Sequence, residues 1–329
     1  MLGRPQNCGR NTVTQFCIFV SAGDRHSIFS WLPERSTRNW DLIAVYYGDD
    51  DREFERLSAI SKHAIRHKGG KFQNLRHALA TVPHLLDGYD HVWVCDDDMR
   101  IRPDQIDEMF CIAAQFEFWI CQPAHSDLGK ISHEITRVCD ERSAIRLVNF
   151  VECTFPLFRR DKLMEFMAVF DGSLVGWGVD TWYCDVLHTS HGARFAVVDA
   201  IQAINPHDWS KRGSYREIDR LQSTKERKAA WEEVRTKRGL RAYEHRTYWI
   251  CAPTEAAGLA EPASQCRDYD RRRGAEALLE LGWQRQELER RRAIGIGVFR
   301  RASGLLWRWL LPSEGPRHSL QRLIGKHRA

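Results

Sequence analysis

Three consecutive aspartates, Asp96, Asp97 and Asp98, directly follow the apolar run His91 to Cys95. Alternate side chains of an extended segment point the same way, so Asp96 and Asp98 are predicted to reach one cation. Mg²⁺ and Mn²⁺ prefer oxygen ligands, and often take one or two carboxylates together with phosphate oxygens and water. Such an ion would neutralise a diphosphate. The alternative is an acidic turn that caps the next helix or faces water.

A glycine-rich turn, VGWGVD at 175–180, is a second place for chemistry. Glycine lets a backbone approach a ligand closely. The indole of Trp177 offers a flat apolar surface for a sugar ring, and Asp180 could act as a general base toward a hydroxyl. The alternative is a plain turn with a packing tryptophan.

Two further polar positions have both functional and structural interpretations. His207, in the segment NPHD at 205–208, could be a metal ligand or a phosphate contact, although a single histidine is more often structural. Asp49, the first of three acids at 49–51, could contact a ribose or a base. It could equally belong to a solvated helix N-terminus, where acids favour the helix dipole.

Short apolar runs alternate with stretches of helical spacing over the first two thirds of the chain. This alternation predicts an α/β fold with a mainly parallel sheet, in which ligands bind at the carboxyl ends of the strands. The runs predict strands over Phe16 to Ala22, Leu42 to Tyr47, His91 to Cys95, Phe118 to Gln122 and Phe195 to Val198, and an extended segment over Phe150 to Phe158. Helices are predicted near 52–67, 74–86, 103–116, 161–170 and 182–188.

The charge of the chain is divided unevenly between its two parts. The total is +5, but residues 209–329 hold 27 basic and 15 acidic residues, a balance of +12. Residues 209–329 are therefore predicted to form an Arg-rich, mainly helical extension. Hydrophobic residues make up 43% and charged residues 28% of the chain, which excludes a disordered or collagen-like protein.

The basic segment 288–311 interleaves arginine with tryptophan and leucine. Such a segment can lie in a membrane interface, pack on the domain that precedes it or contact another subunit. No recognised nucleic-acid-binding motif occurs, so no specific nucleic acid is expected. The ten cysteines form no CxxC pair, and the N-terminus lacks a signal-peptide pattern. A cytoplasmic location is therefore expected, with possible contact to the inner face of the membrane.

The order of these motifs resembles the glycosyltransferase-A fold, in which a DxD motif, a GWG-linked acid and a late histidine recur. A closer resemblance is to a family of unknown function in plants and bacteria, whose plant members are labelled lysine-ketoglutarate reductase trans-splicing related. That family is generally taken to be glycosyltransferase-like. The blocks that carry the resemblance are YDHVWVCDDDM (89–99), ICQPAHSD (120–127), ISHEITR (131–137), FVECTFPLFRR (150–160), GWGVD (176–180) and AVVDAIQAINPH (196–207).

The resemblance covers residues 13–208, which it implies form a glycosyltransferase-A-like catalytic domain, and it implies a role for each matching residue. Asp96, Asp98 and His207 would be ligands of Mn²⁺ or Mg²⁺, and Asp180 would be the acid or base on the acceptor side. The remaining implied positions are Glu152 as a second candidate carboxylate, and Lys71, Arg76, Asp49, Asp96 and Trp177 as contacts to the nucleotide-sugar. Only Asp180 follows GWG, after Val179, where galactosyltransferases have a run of acids.

The sequence thus predicts a metal-dependent glycosyltransferase that moves a sugar from a nucleotide-diphosphate sugar to an acceptor hydroxyl. The acceptor would be a glycan, a lipid-linked molecule or a small molecule. Two alternatives stay open. One is a non-catalytic nucleotide- or carbohydrate-binding protein of the same fold, and the other is a metal-dependent phosphoryl or nucleotidyl transferase, because DxD also suits two-metal chemistry.

Overall fold

The computed structural model describes residues 15–33, 38–139, 143–188, 194–207, 217–240 and 244–251. Most of the predicted extension 209–329, including the basic segment 288–311, lies outside these residues, so the predictions for that part stay predictions. Among the described helices, none combines the length and the apolar character that a membrane crossing requires.

The described strands belong to one mixed sheet. They are β1 (Phe16–Ala22), β2 (Trp40–Tyr46), β3 (His63–Arg66), β4 (His91–Asp96), β5 (Ile120–His125), β6 (Ile145–Val148), β7 (Leu157–Arg159), β8 (Phe195–Ala203) and β9 (Thr247–Cys251). Their order across the sheet is β3-β2-β1-β4-β7-β5-β8-β6-β9. Parallel pairing joins β3, β2, β1 and β4, and also β5 and β8, whereas β7 and β6 run antiparallel to these strands. The predicted α/β class with a mainly parallel sheet is confirmed.

Helices cover both faces of this sheet. They are α1 (Asp51–Ile60), α2 (Lys71–Thr81), α3 (Pro103–Gln115), α4 (Arg160–Val169), α5 (Val179–His188), α6 (Glu217–Leu221) and α7 (Thr224–Arg238). Successive side chains of a strand point to opposite faces. Accordingly Phe19 packs in a core with buried residues of α2, α4, α5 and α7, and Ile18 packs in another with residues of α1 and α3. Burial on both faces explains why β1 reads as an unbroken apolar run.

Three elements differ from the sequence predictions. The helix predicted near 52–67 ends at Ile60, and its last part is β3, which pairs with β2. Most of the segment from Phe150 to Phe158 is irregular, because strand β7 begins only at Leu157. Strands β6 and β9 have no counterpart in the prediction. The four strands β3, β6, β7 and β9 contain three to five residues each, too few to show a clear hydrophobic period.

The predicted extension contributes to this same fold. Strand β9 pairs with β6 at the end of the sheet, and α7 buries Val234 in the core that contains Phe19. The boundary at residue 208 stays a prediction, but residues beyond it complete the sheet and one of its two helical layers. Helix α7 also packs Trp231 against the glycine-rich turn.

The contact between this turn and Trp231 can be tested at Gly178. Its φ is +82°, and an added Cβ would lie 2.2 Å from Cε3 of Trp231. We expect G178A to lower the free energy of unfolding by about 2–4 kcal/mol, because a steric clash adds to the strain of left-handed backbone. Gly88 is a matched control, since its φ is +84° and an added Cβ meets nothing within 4 Å. In urea denaturation G88A should lose only about 1 kcal/mol, and equal losses for both variants would contradict the clash.

Candidate active site

The predicted acidic edge of the sheet forms where β1, β2 and β4 end side by side. Ser21 pairs with Asp96, and Ala22 pairs with Tyr46, so these parallel strands finish at the same level. A carboxylate oxygen of Asp24 accepts hydrogen bonds from the backbone N–H groups of Asp49 and Asp50, at 2.9 and 3.1 Å. The loops after β1 and β2 are therefore joined at this edge.

The middle aspartate of the triplet has a structural role. Asp97 Oδ2 accepts hydrogen bonds from the Gly23 N–H at 2.8 Å and from the Tyr47 hydroxyl at 3.0 Å. Burial, together with the neighbouring charge of Asp98, raises the pKa of Asp97 to about 7. Asp97 thus ties the loops after β1 and β2 to the end of β4.

Only Asp96 of the triplet belongs to strand β4. Asp97 and Asp98 lie in the turn that follows it. The alternation of side chains within a strand therefore does not apply to Asp98, because that rule holds only within a strand. That Asp96 and Asp98 reach one cation stays a prediction.

Lys71, the first residue of α2, connects this acidic edge to a distant part of the chain. Its Nζ lies 2.8 Å from Asp96 Oδ1 and donates hydrogen bonds to the carbonyl oxygens of Thr154, at 2.7 Å, and Cys153. The Lys71 side chain is 10% exposed and that of Asp96 is 43% exposed. One partly buried ammonium group thus links the predicted cation site to the segment that follows Glu152.

A close backbone contact holds α2 in this position. Gly70 precedes Lys71, and an added Cβ at Gly70 would lie 2.1 Å from the carbonyl oxygen of Val175. The start of α2 can therefore approach the residue that begins the motif VGWGVD only because position 70 is glycine. This approach brings Lys71 beside the glycine-rich turn as well as beside Asp96.

Glu152 is buried and held by polar contacts. Its Oε1 accepts a hydrogen bond from Thr154 Oγ1 at 2.7 Å, its Oε2 lies 3.6 Å from His125 Nδ1, and its N–H donates to Gln122 Oε1 at 2.6 Å. Burial works to raise the pKa of Glu152, but His125 and the hydrogen bond from Thr154 lower it below its usual value. Burial also lowers the pKa of His125, which is therefore neutral at pH 7. At that pH the hydrogen bond from Thr154 stabilises the Glu152 carboxylate more than the neutral His125 does.

Asp180 lies next to this carboxylate, in the first turn of α5. It is buried, its Oδ1 accepts the Thr181 N–H at 2.9 Å, and the backbone of Cys153 lies close enough to lower its pKa. Burial raises the pKa of Asp180, and the charge of Glu152 adds to that effect. The carbonyl of Cys153 accepts a hydrogen bond from Lys71. Cys153 therefore lies between Lys71 and Asp180. The structure thus brings Asp96, Lys71, Glu152 and Asp180 together.

Two of the other predicted residues lie outside this network. Asp49 is a surface residue, 68% exposed, whose carboxylate pairs with Lys68 Nζ at 2.7 Å. Its neighbour Asp50 caps α1 by accepting from the N–H groups of Arg52 and Glu53, as the helix N-terminus alternative proposed. Arg76 is exposed on α2, beside Gly172. Roles of Asp49 and Arg76 in nucleotide binding stay predictions.

Trp177 and His207 are the remaining predicted site residues. Trp177 is 47% exposed, and Lys228 Nζ of α7 lies 5.0 Å from the centre of its ring. The segment before His207 returns to the triplet, because Ile204 pairs with Arg100 in an antiparallel bridge. His207 lies three residues after Ile204, and Asp98 lies two residues before Arg100.

Sequence reasoning missed two histidines near the carboxylates. The His133 ring lies 5.2 Å from that of His245, and Phe150 lies 4.7 and 4.4 Å from these two rings. His133 acts to lower the pKa of both Asp180 and Glu152, which places it near both. The block ISHEITR contains His133, but only the fold shows its neighbours. His245 comes from the predicted extension.

The predicted cation site can be compared with the described side chains. They contain no group of three or more His, Cys, Asp or Glu residues that could hold a metal ion. A three-ligand site of Asp96, Asp98 and His207 is therefore not preassembled. Asp96 and Asp98 still fit the simpler arrangement in which one or two carboxylates hold Mg²⁺ or Mn²⁺ and phosphate oxygens and water complete the shell. His207 as a ligand stays a prediction.

Comparisons with family models and with curated proteins find no match. The resemblance to the plant and bacterial family therefore stays a resemblance. The fold is similar to a structure of S. aureus TarS 1-349, at 11% identity and a TM-score of 0.43, over 68% of this chain and 73% of that one. The complex of TarS 1-349 with UDP gives 11% and 0.43, over 58% and 60%.

A structure of GalNAc-T7 with UDP, GalNAc and Mn²⁺ is also similar, at 8% identity and a TM-score of 0.45, over 59% of this chain and 44% of that one. TarS and GalNAc-T7 are glycosyltransferases of the GT-A fold. At such identities a likeness of fold does not show the chemistry of this chain.

Proposed function

We propose that this chain is a glycosyltransferase that moves a sugar from a nucleotide-diphosphate sugar to an acceptor hydroxyl. The observation that supports this most directly is the position of Lys71. Its ammonium contacts Asp96, on the predicted side of the sugar donor, and the carbonyls of Cys153 and Thr154. Those two residues lie against Asp180 and Glu152, on the predicted acceptor side. One network thus joins the two halves that a transfer site requires.

On the donor side, Asp96 and Asp98 would hold a divalent cation, Mn²⁺ or Mg²⁺. When bound, this cation would neutralise the diphosphate and stabilise it as a leaving group. Lys71 would attract the diphosphate as a nearby point charge, since Asp96 and the carbonyls of Cys153 and Thr154 already take the three N–H donors of its ammonium. Trp177, with half of its surface exposed, offers an apolar face to a sugar ring.

On the acceptor side, Asp180 would orient the hydroxyl and take its proton. A base is most effective when its pKa lies near the working pH, and burial moves the pKa of Asp180 in that direction. Glu152 is less suited to this task, because Thr154 and His125 already contact its two oxygens. We therefore assign the proton transfer to Asp180 and keep Glu152 as the second candidate.

The proposal is tested by thermal shift with a panel of nucleotide-sugars, each with Mn²⁺ and with EDTA. We expect one nucleotide class to raise Tm by several degrees, because a ligand of the folded state stabilises it by mass action. The shift should be larger with Mn²⁺, and D98N should lose the Mn²⁺-dependent part. Asp104, an exposed residue that pairs with Arg102, gives a matched control in D104N.

The outcomes of this panel separate the alternatives. No shift with any nucleotide would contradict the proposed donor. Binding without sugar transfer would favour the non-catalytic binding protein, and release of phosphate or nucleotidyl products would favour the phosphoryl or nucleotidyl transferase. Full transferase activity of D98N would contradict the role of Asp98 as a metal ligand. Cytoplasmic location, membrane contact through 288–311 and the nature of the acceptor stay predictions.

A further inference from the structure

Lys71 places a fixed positive charge beside the proposed cation site. Its Nζ lies 2.8 Å from Asp96 Oδ1 and is also held by the carbonyls of Cys153 and Thr154. The side chain is only 10% exposed, so moving the ammonium away would break all three contacts where little water can replace them. The ammonium therefore stays next to Asp96 when no ligand is bound.

This charge opposes a bare divalent cation. Asp96 is already paired with Lys71, so a cation at Asp96 and Asp98 gains less attraction than two carboxylates alone would give. The cation would also lie close to a like charge. In addition, the described side chains provide no preassembled group of three metal ligands. Phosphate oxygens would provide both the missing metal ligands and the negative charge that offsets Lys71.

We propose that Lys71 couples cation binding to nucleotide binding, by keeping the affinity for the bare cation low and the affinity for the diphosphate high. This inference rests on the proposed function, since it concerns the same donor site. A diphosphate satisfies both positive charges at once, so the cation and the nucleotide bind as a pair. Removal of the Lys71 charge must then change the two affinities in opposite directions. A lysine that only supports the fold would not produce effects of opposite sign.

The first experiment uses Mn²⁺ alone and needs no nucleotide. Free Mn²⁺ is measured by electron paramagnetic resonance during titration of the full-length protein. We expect K71M to bind Mn²⁺ at least about tenfold more tightly than the wild type, because one unit charge is removed a few ångströms from the cation. K71R keeps the charge and should bind as weakly as the wild type. If K71M does not fold, K71Q removes the charge and keeps a polar amide.

Lys62 provides a matched control. Its Nζ also lies 2.8 Å from a carboxylate, that of Asp41, but near the start of β2, at the opposite edge of the sheet. K62M should leave Mn²⁺ affinity unchanged. Equal Mn²⁺ affinity of K71M and wild type would overturn the inference, as would a K62M affinity that rises as much as that of K71M.

The second experiment adds UDP or GDP, with and without Mn²⁺, and measures the dissociation constant by calorimetry. We expect K71M to bind the nucleotide at least about tenfold more weakly, since the attraction of a nearby positive charge for the diphosphate is lost. Wild-type binding of Mn²⁺ should tighten when the nucleotide is present, and by linkage the converse should hold. Tight wild-type binding of Mn²⁺ that no nucleotide changes would overturn the inference. Failure of every nucleotide to bind contradicts the proposed function instead, while the Mn²⁺ titration still decides the effect of Lys71 on the bare cation.

Discussion

Replacement of Asp180 by asparagine is expected to lower kcat by about 100- to 10,000-fold, the range that a positioned general base contributes. Asparagine has nearly the shape of aspartate and can still accept the Thr181 N–H. It cannot take a proton from the acceptor hydroxyl. The nucleotide-sugar should therefore bind D180N as it binds the wild type, and the loss should fall on the rate of transfer. The measurement is steady-state transfer together with the dissociation constant of the sugar donor.

The pH dependence of transfer tests whether Asp180 acts as the base. Burial raises the pKa of Asp180, and the carboxyl group must be ionised to act as a base. We therefore expect kcat of the wild type to fall as the pH drops through a pKa above the usual value for aspartate. In D180N this dependence should disappear. An unchanged pH profile in D180N would contradict the assignment.

Asp185 supplies a matched control on the same helix. It is partly exposed, it lies more than one turn after Asp180, and D185N should change kcat by no more than about twofold, as surface substitutions usually do. E152Q tests the second candidate. If E152Q loses transfer and D180N keeps at least a tenth of kcat, the base is Glu152 and the assignment made above is wrong.

The strands that carry the acidic edge could be predicted because their residues are buried on both faces. Such strands appear as unbroken apolar runs, as in Phe16–Ala22, and the acids that follow them mark the carboxyl ends. The position of Asp96 at the end of β4 was predictable for this reason. Strand β3 was not, since His63–Arg66 is a four-residue edge strand, only partly buried and without apolar alternation.

The contacts that join the site could not be predicted from local pattern. Lys71 meets Thr154 across 83 positions of sequence, and Glu152 meets Gln122 across 30. The position of a lysine or a glutamine in the sequence does not predict which distant residue it will contact. The role of Asp97 was hidden for a similar reason, because its partners Gly23 and Tyr47 come from two other loops. Long-range hydrogen bonds therefore account for most of what the sequence left open at the site.

A buried ion pair beside the site gives the largest expected effect on stability. Arg146 of β6 binds Asp199 of β8 through two contacts, Nε to Oδ2 at 2.7 Å and Nη2 to Oδ1 at 2.9 Å, with side-chain exposures of 7% and 1%. Arg146 also donates to the carbonyls of Ile135, at 2.8 Å, and Arg137, at 2.7 Å. The pair thus fixes the loop that carries Thr136, whose hydroxyl lies 3.4 Å from Glu152.

R146M is expected to lower the free energy of unfolding by about 3–5 kcal/mol, because it leaves a buried carboxylate without its positive partner. Urea denaturation measures this loss, which would be a large part of the roughly 5–15 kcal/mol typical of folded proteins.

Arg159 and Asp161 form a matched exposed pair, also with two contacts, at 2.6 and 2.7 Å. R159M should lose no more than about 1 kcal/mol. The double variant R146M/D199N should be less destabilised than the sum of the two single variants, since removal of both charges leaves no unpaired ion. A loss below 1 kcal/mol in R146M would show that the pair adds little to the fold, and strictly additive losses would show that Arg146 acts through its carbonyl contacts alone.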